Sequence, residues 1–189
     1  MPVVSTSDFK KGRKILYDNA PYMVIDFMHV KPGKGGAYVR TKMKNMITGL
    51  MHEVTFHSGE KFEDPGLEYK DMQYLYNDES LFHFMDLDSY EQVSLNKNQM
   101  DEAFDYLKEQ SIYNALYFQG RLIAMSAPMF MELKVTDAPA GVKGNTAQGG
   151  ATKTVTLETG STLQVPLFVV EGDILKVDTR TNEYIERIK

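Results

Sequence analysis

A single amine stands at the centre of a glycine-rich turn: Lys34, in Lys31-Pro32-Gly33-Lys34-Gly35-Gly36-Ala37. Proline fixes φ and glycine enters backbone regions closed to other residues, so Pro32, Gly33, Gly35 and Gly36 let the chain turn tightly and put the lysine forward. From Phe27 to His52 there is no acidic residue, whereas Lys31, Lys34, Arg40, Lys42 and Lys44 are all basic. Such a loop reads as a probe for polyanion. A Pro-Gly-Lys-Gly tetrad by itself is more often a solvated turn. Here the flanking runs 22–30 and 37–43 are apolar-rich and strand-like, which predicts a hairpin with the loop at its tip. A nucleotide-phosphate loop is a poor match, because it needs a longer glycine spacing, Gly-Lys followed by Ser or Thr, and then a helix.

Other chemistry-bearing residues give little. His29, His52, His57 and His83 are dispersed, and a strand would place His52 and His57, five residues apart, on opposite faces. His52-Glu53 lacks the second histidine of a metalloprotease helix, and Ser126 is in no Gly-x-Ser-x-Gly elbow. Asp86-Leu87-Asp88 and Asp101-Glu102 read as surface charges. With no cysteine, the chain has no disulfide, thiolate nucleophile or cysteine-based zinc site. The expectation is a chain without catalytic residues, metal or dissociable cofactor.

The elements that must hold Lys34 in place are short and extended. At 189 residues and 42% hydrophobic content the chain can bury one core or several small ones. Its start lacks a charged, apolar leader, and no run of about 18 apolar residues occurs, so it is read as cytoplasmic and without a membrane partner. The formal net charge of -5 is unevenly spread. Residues 1–64 hold 10 Lys or Arg against 7 Asp or Glu, residues 65–127 hold 4 against 11, and residues 128–189 hold 7 against 8. That distribution suits a basic end facing RNA and an acidic middle that avoids indiscriminate backbone binding; simple solubility accounts for it equally.

Period-2 patterning predicts strands at 14–17, 22–30, 37–43 and 50–56, enough for a small barrel. The polar stretch 58–66, ending in Pro65-Gly66, reads as a boundary. Strands are then expected at 72–76, 81–85 and 91–95. Asn96 with Gln99 predicts a capped helix carrying Met100, Ala103, Phe104 and Leu107 on its core-facing side. A strand at 119–127 closes this module, with an exit at Pro128. In the last third, strands are expected at 130–136, 154–157, 162–169, 174–178 and 183–188, with a long loop at 141–150. The whole reads as three successive β-barrel domains, 1–64, 65–128 and 129–189, without a fixed-period repeat.

Across its length the sequence resembles the bacterial elongation factor P family. The Pro32-Gly33-Lys34-Gly35 core matches the family's modifiable-lysine loop. So do Tyr74-Leu75-Tyr76-Asn77-Asp78, Phe84-Met85-Asp86 and Tyr90-Glu91-Gln92 in the middle, and Asn145-Thr146-Ala147-Gln148-Gly149-Gly150 and Leu157-Glu158-Thr159-Gly160 further on. Val165-Pro166, Glu171-Gly172-Asp173 and the run from Val177-Asp178-Thr179-Arg180 through Thr181-Asn182-Glu183-Tyr184 complete it. Asn145 stands where the family often has aspartate, Val155 where a small residue is common, and Asn182 where a turn glycine is usual; asparagine also enters the left-handed region.

The resemblance implies an all-β protein with an SH3-like (KOW-like) first domain and two OB-like domains. It implies a non-enzymatic factor, a monomer, that contacts both ribosomal subunits and peptidyl-tRNA and stimulates peptide-bond formation at polyproline stalls. Lys34 becomes the functional tip, modified by a β-lysyl-type group from an enzyme resembling lysyl-tRNA synthetase. Lys31, Arg40, Lys42 and Lys44 become RNA-contact candidates, and no DNA partner is implied. The alternative reading is a general RNA-binding or ribosome-assembly protein, because such barrels do not fix function.

Overall fold

The structure, a computed structural model, describes residues 3–140 and 151–188, the side chains of Asp101 and Glu102 excepted. The expected loop at 141–150, with its Asn145–Gly150 motif, lies outside the described residues. Among those described, sixteen strands form four sheets, and the protein is all-β as expected. By its internal contacts the chain groups into two compact units, Met1–Tyr69 with Leu116–Ala124, and Lys70–Ala115 with Met125–Lys189.

In the first unit, strands β2 (Lys14–Tyr17), β3 (Ala20–Val30), β4 (Tyr38–Asn45) and β5 (Met51–His57) form an antiparallel meander. Its first hairpin turns on Asp18 and Asn19, both at positive φ (49° and 57°), the two-residue turn whose twist matches that of its strands. Two short strands, β1 (Val3–Ser5) and β6 (Lys61–Glu63), pair antiparallel. Thr6 ties this pair to the meander: its buried Oγ1 accepts from the Gly59 amide at 2.8 Å and donates to the His57 carbonyl at 3.3 Å. The core gathers Val4, Phe9, Ile15, Val24, Val39, Met43, Phe56 and Phe62. Phe56 and Phe62 meet edge to face at 4.7 Å, a contact worth about 0.5–1.5 kcal/mol beyond burial.

The remaining strands are β7 (Glu68–Asn77), β8 (Phe82–Asp86), β9 (Gln92–Leu95), β10 (Ile112–Phe118) and β11 (Arg121–Ser126), then β12 (Phe130–Asp137), β13 (Thr152–Leu157), β14 (Thr162–Pro166), β15 (Ile174–Asp178) and β16 (Glu183–Ile188). They make two five-stranded sheets, ordered β11-β10-β7-β8-β9 and β14-β13-β12-β15-β16. In both, the first strand is central, with two strands on either side of it. The repeat is therefore one of topology, which is why no fixed sequence period betrays it. Within the second unit, Tyr106 is buried in the core of Leu133, Val135, Leu163 and Leu175, and its hydroxyl donates to Asn182 Oδ1 at 2.8 Å. Asn182 adopts φ 53°, the left-handed conformation expected where a glycine is usual.

The helix expected after Asn96 forms differently. Gln99 Oε1 accepts from the Asn96 amide at 3.0 Å as the capping pattern requires, but the chain makes two 3-10 turns, Lys97–Gln99 and Asp101–Tyr106. Bonds of Met100 to Lys97 and of Ala103 to Met100 reach back three residues, which tightens the spiral while still burying Met100 and Ala103. Residues 119–127 split as well: Gln119 and Gly120, at φ 49° and 74°, are the turn before β11. The short β1 and β6 and the whole of β10 are additions to the expected strands.

Candidate functional site

Lys34 sits in the loop that joins β3 to β4. Val30 pairs with Tyr38 as the last rung, leaving residues 31–37 free of the ladder. On the other edge the Ala37 carbonyl accepts from the Ser58 amide at 3.0 Å, so the stem is held from β5 as well. Residues 31–36 are all exposed. Lys34 is four residues on from Val30, so its Cα stands at most about 14 Å beyond the last rung. Gly35 has φ 102°, a conformation that L side chains rarely adopt. Gly33 and Gly36 lack positive φ, and a Cβ there would meet nothing within 4 Å. Of the supports read from sequence, Gly35 is the one whose backbone demands glycine.

The stem is anchored by period 2. Val39, Thr41 and Met43 of β4 are fully buried, while Arg40, Lys42 and Lys44 alternate with them on the outer face. Burying a Val or Met side chain contributes about 1.5–3 kcal/mol, so the core fixes the direction of the three cations. The structure thus brings Arg40, Lys42 and Lys44 onto one face, with Lys31 and Lys34 in the loop at one end of their strand. At the other end Asn45 Oδ1 accepts from the Ile47 and Thr48 amides at 2.8 and 3.0 Å, closing the turn to β5.

Carboxylates share this face. Asp26 on β3 and Glu53 on β5 are both in register with Lys42, one on each side. Lys11 Nζ lies 3.1 Å from Asp26, and Arg40 Nε lies 3.6 Å from Glu53. The hydrogen bond and charge of Lys11 hold the Asp26 carboxyl below its ordinary value, with a smaller contribution from Lys42. Sequence reasoning missed Lys11 and both counter-charges. Asp26 and Glu53 are the residues just outside the acid-free window, and antiparallel pairing brings the two ends of that window back beside its middle.

Elsewhere the structure assembles one relay that spacing did not show. His83 Nε2 lies 2.8 Å from Asp78 Oδ2, its Nδ1 lies 3.0 Å from Ser94 Oγ, and Tyr76 stacks on its ring at 4.5 Å. The hydrogen bond to His83 is the main reason the Asp78 carboxyl is lowered. Ser94 is exposed on an outer strand of its sheet, and the group reads as a cross-strand brace. A hollow of about 470 Å³ in the second unit is lined by Tyr106, Ser161, Thr162, Thr179, Arg180 and Asn182. Its principal polar groups are engaged internally: Arg180 with Asp178 at 2.7 Å, Thr179 with the Pro128 carbonyl at 2.8 Å, Tyr106 with Asn182. Among the described residues no cluster of three metal-ligating side chains occurs, and no helix is long and apolar enough to cross a membrane.

Comparison with known proteins finds three family models in succession: the elongation factor P KOW-like domain over residues 5–62, the elongation factor P OB domain over 67–125, and the elongation factor P C-terminal domain over 131–187. The chain is 49% identical over 187 residues to elongation factor P of Ruminiclostridium cellulolyticum, covering 99% of this chain and 100% of that one. To elongation factor P of Finegoldia magna it is 48% identical over 186 residues, covering 98% and 100%. Among solved structures, eukaryotic translation initiation factor 5A from Methanococcus jannaschii shares the fold with a TM-score of 0.54 at 23% identity, covering 65% of this chain and 94% of that one.

Proposed function

Because the chain belongs to the elongation factor P family, we propose that it is a translation factor that binds the ribosome beside peptidyl-tRNA and promotes peptide-bond formation at runs of proline, with Lys34 as its working tip. The observation that carries this reading is the lysine's position: exposed, on a loop whose stem is pinned into a buried core. Such a tip acts by placement. Proline's ring restricts the geometries in which its amine meets the ester, and a cation that steadies the acceptor end of the tRNA lowers the entropic part of that barrier. Each tenfold gain requires about 1.4 kcal/mol, within reach of a few charge-assisted contacts.

In this reading the factor is cytoplasmic, non-enzymatic and organised as domains 1–64, 65–128 and 129–189. Its lysine takes a β-lysyl-type extension from an enzyme resembling lysyl-tRNA synthetase, which lengthens the reach of the amine. Lys31, Arg40, Lys42 and Lys44 supply phosphate contacts. The test is a reconstituted translation assay on messages with and without consecutive prolines. Lys34→Ala is expected to lose rescue of the proline message by about tenfold or more while thermal unfolding is unchanged, since an exposed side chain has little packing to lose. Equal rescue by both proteins would remove Lys34 from the mechanism.

A further inference from the structure

The outer face of β3, β4 and β5, joined by Lys11 from the turn before β2, carries a row of alternating charge, Lys11–Asp26–Lys42–Glu53–Arg40. Asp26 and Glu53 flank Lys42 in register, and each also reaches a second cation, Lys11 at 3.1 Å and Arg40 at 3.6 Å. The side chains of these two outer pairs are 60–73% exposed, so the carboxylates meet the same solvent that a phosphate backbone would approach from. Lys44 on the same face, and Lys31 and Lys34 in the loop, have no carboxylate opposite them in the register and no ion pair among the described residues.

We infer that Asp26 and Glu53 are specificity-determining residues: they weaken, without abolishing, the pull of Arg40 and Lys42 on phosphate, so that bulk RNA is drawn to the middle of the hairpin only weakly and the loop, with Lys31 and Lys34 together, is the strongest point of attraction. The inference rests on the reading that this hairpin meets RNA. Its physical basis is counterion release. A cation already matched by a carboxylate frees fewer counterions on meeting phosphate, and docking there places the phosphate against Asp26 or Glu53. The flank is then selective by subtraction, since nonspecific association is held down without removing a single basic residue.

The test uses the full chain, the variant Asp26→Asn/Glu53→Gln, and a free poly(U) oligonucleotide as probe, with binding measured across a salt series. The control variant Glu79→Gln/Glu171→Gln makes the same change in net charge at exposed positions outside the first unit. Each further phosphate of a single strand that the protein neutralises steepens the plot of log affinity against log salt by about 0.7, or about fivefold at 0.1 M salt taken from a 1 M reference. Freeing Lys11 and Arg40 is therefore expected to steepen the slope by about 0.7–1.4. The control should move it by much less. An unchanged slope with the fold intact overturns the inference, as does an equal change in the control, which would assign the effect to overall charge. Because the probe is free RNA, the outcome is independent of rescue at prolines, so failure of the Lys34 mechanism and failure of this inference are separately visible.

Discussion

Thr41 offers a quantitative check on the hairpin that carries the loop. It lies in β4 between Phe27 on β3 and Val54 on β5, is completely buried, and its hydroxyl has no hydrogen-bond partner among the described residues. A hydroxyl buried without a partner costs about 1–3 kcal/mol in protein substitution series. Thr41→Val keeps the branched shape and the strand preference while replacing that hydroxyl by a methyl, so a stabilisation of about 1–2 kcal/mol is expected. For a unit of about 80 residues, with an unfolding entropy near 2.1 cal/mol/K per residue, this is roughly 6–12 °C in its transition. Amide exchange in β4 reads the same quantity locally: opening should become about 5- to 30-fold rarer. Thr41→Ser keeps the hydroxyl and removes the methyl, and should destabilise by about 1 kcal/mol through lost packing. Exchange in β4 that is unchanged or faster in Thr41→Val would show the hydroxyl to be satisfied in solution and refute the reasoning.

Two further outcomes follow from local geometry. Gly35→Ala, at φ 102°, should lower proline rescue by displacing Lys34 while moving the thermal midpoint only slightly, whereas Gly33→Ala and Gly36→Ala should leave both intact; equal loss in all three would exclude backbone conformation as the cause. Burial pushes the Tyr113 phenol up to about 12, above an ordinary value near 10, and its hydroxyl donates to the Tyr106 carbonyl at 2.8 Å and accepts from the Lys108 amide at 2.9 Å. A group with a raised folded value contributes fully below pH 10 and loses that contribution as pH climbs towards 12. Urea titrations should show stability falling more steeply across that window in the native protein than in Tyr113→Phe, and parallel curves would contradict it.

Much of the fold was written locally. Where one side of a strand is buried and the other wet, alternation is enforced residue by residue, and β4 is the clearest case: Val39, Thr41 and Met43 inward, Arg40, Lys42 and Lys44 outward. For β2, β15 and β16 the turn residues beside them gave the observed bounds, where alternation by itself is incomplete. Alternation failed at β10, where Ala115 and Leu116 are both buried and break the period. It failed also at β1 and β6, which are three residues each and owe their identity to pairing with one another. The capping residues after Asn96 were legible, but the closure of the turns at three residues instead of four, with Met100 and Ala103 buried, was not.

At the candidate site, the sequence alone determined the glycine-flanked Lys34, its position at a hairpin tip, and the run of basic residues beside it, because these depend on neighbours along the chain. Only the tertiary structure decided what that basic run faces. Strand pairing folds the two ends of the acid-free window onto its middle, so Asp26 and Glu53 border Lys42 although they are 16 and 11 residues away in the chain. Electrostatic energy depends on distance through space, and in a hairpin that distance is fixed by register, a property that composition does not contain.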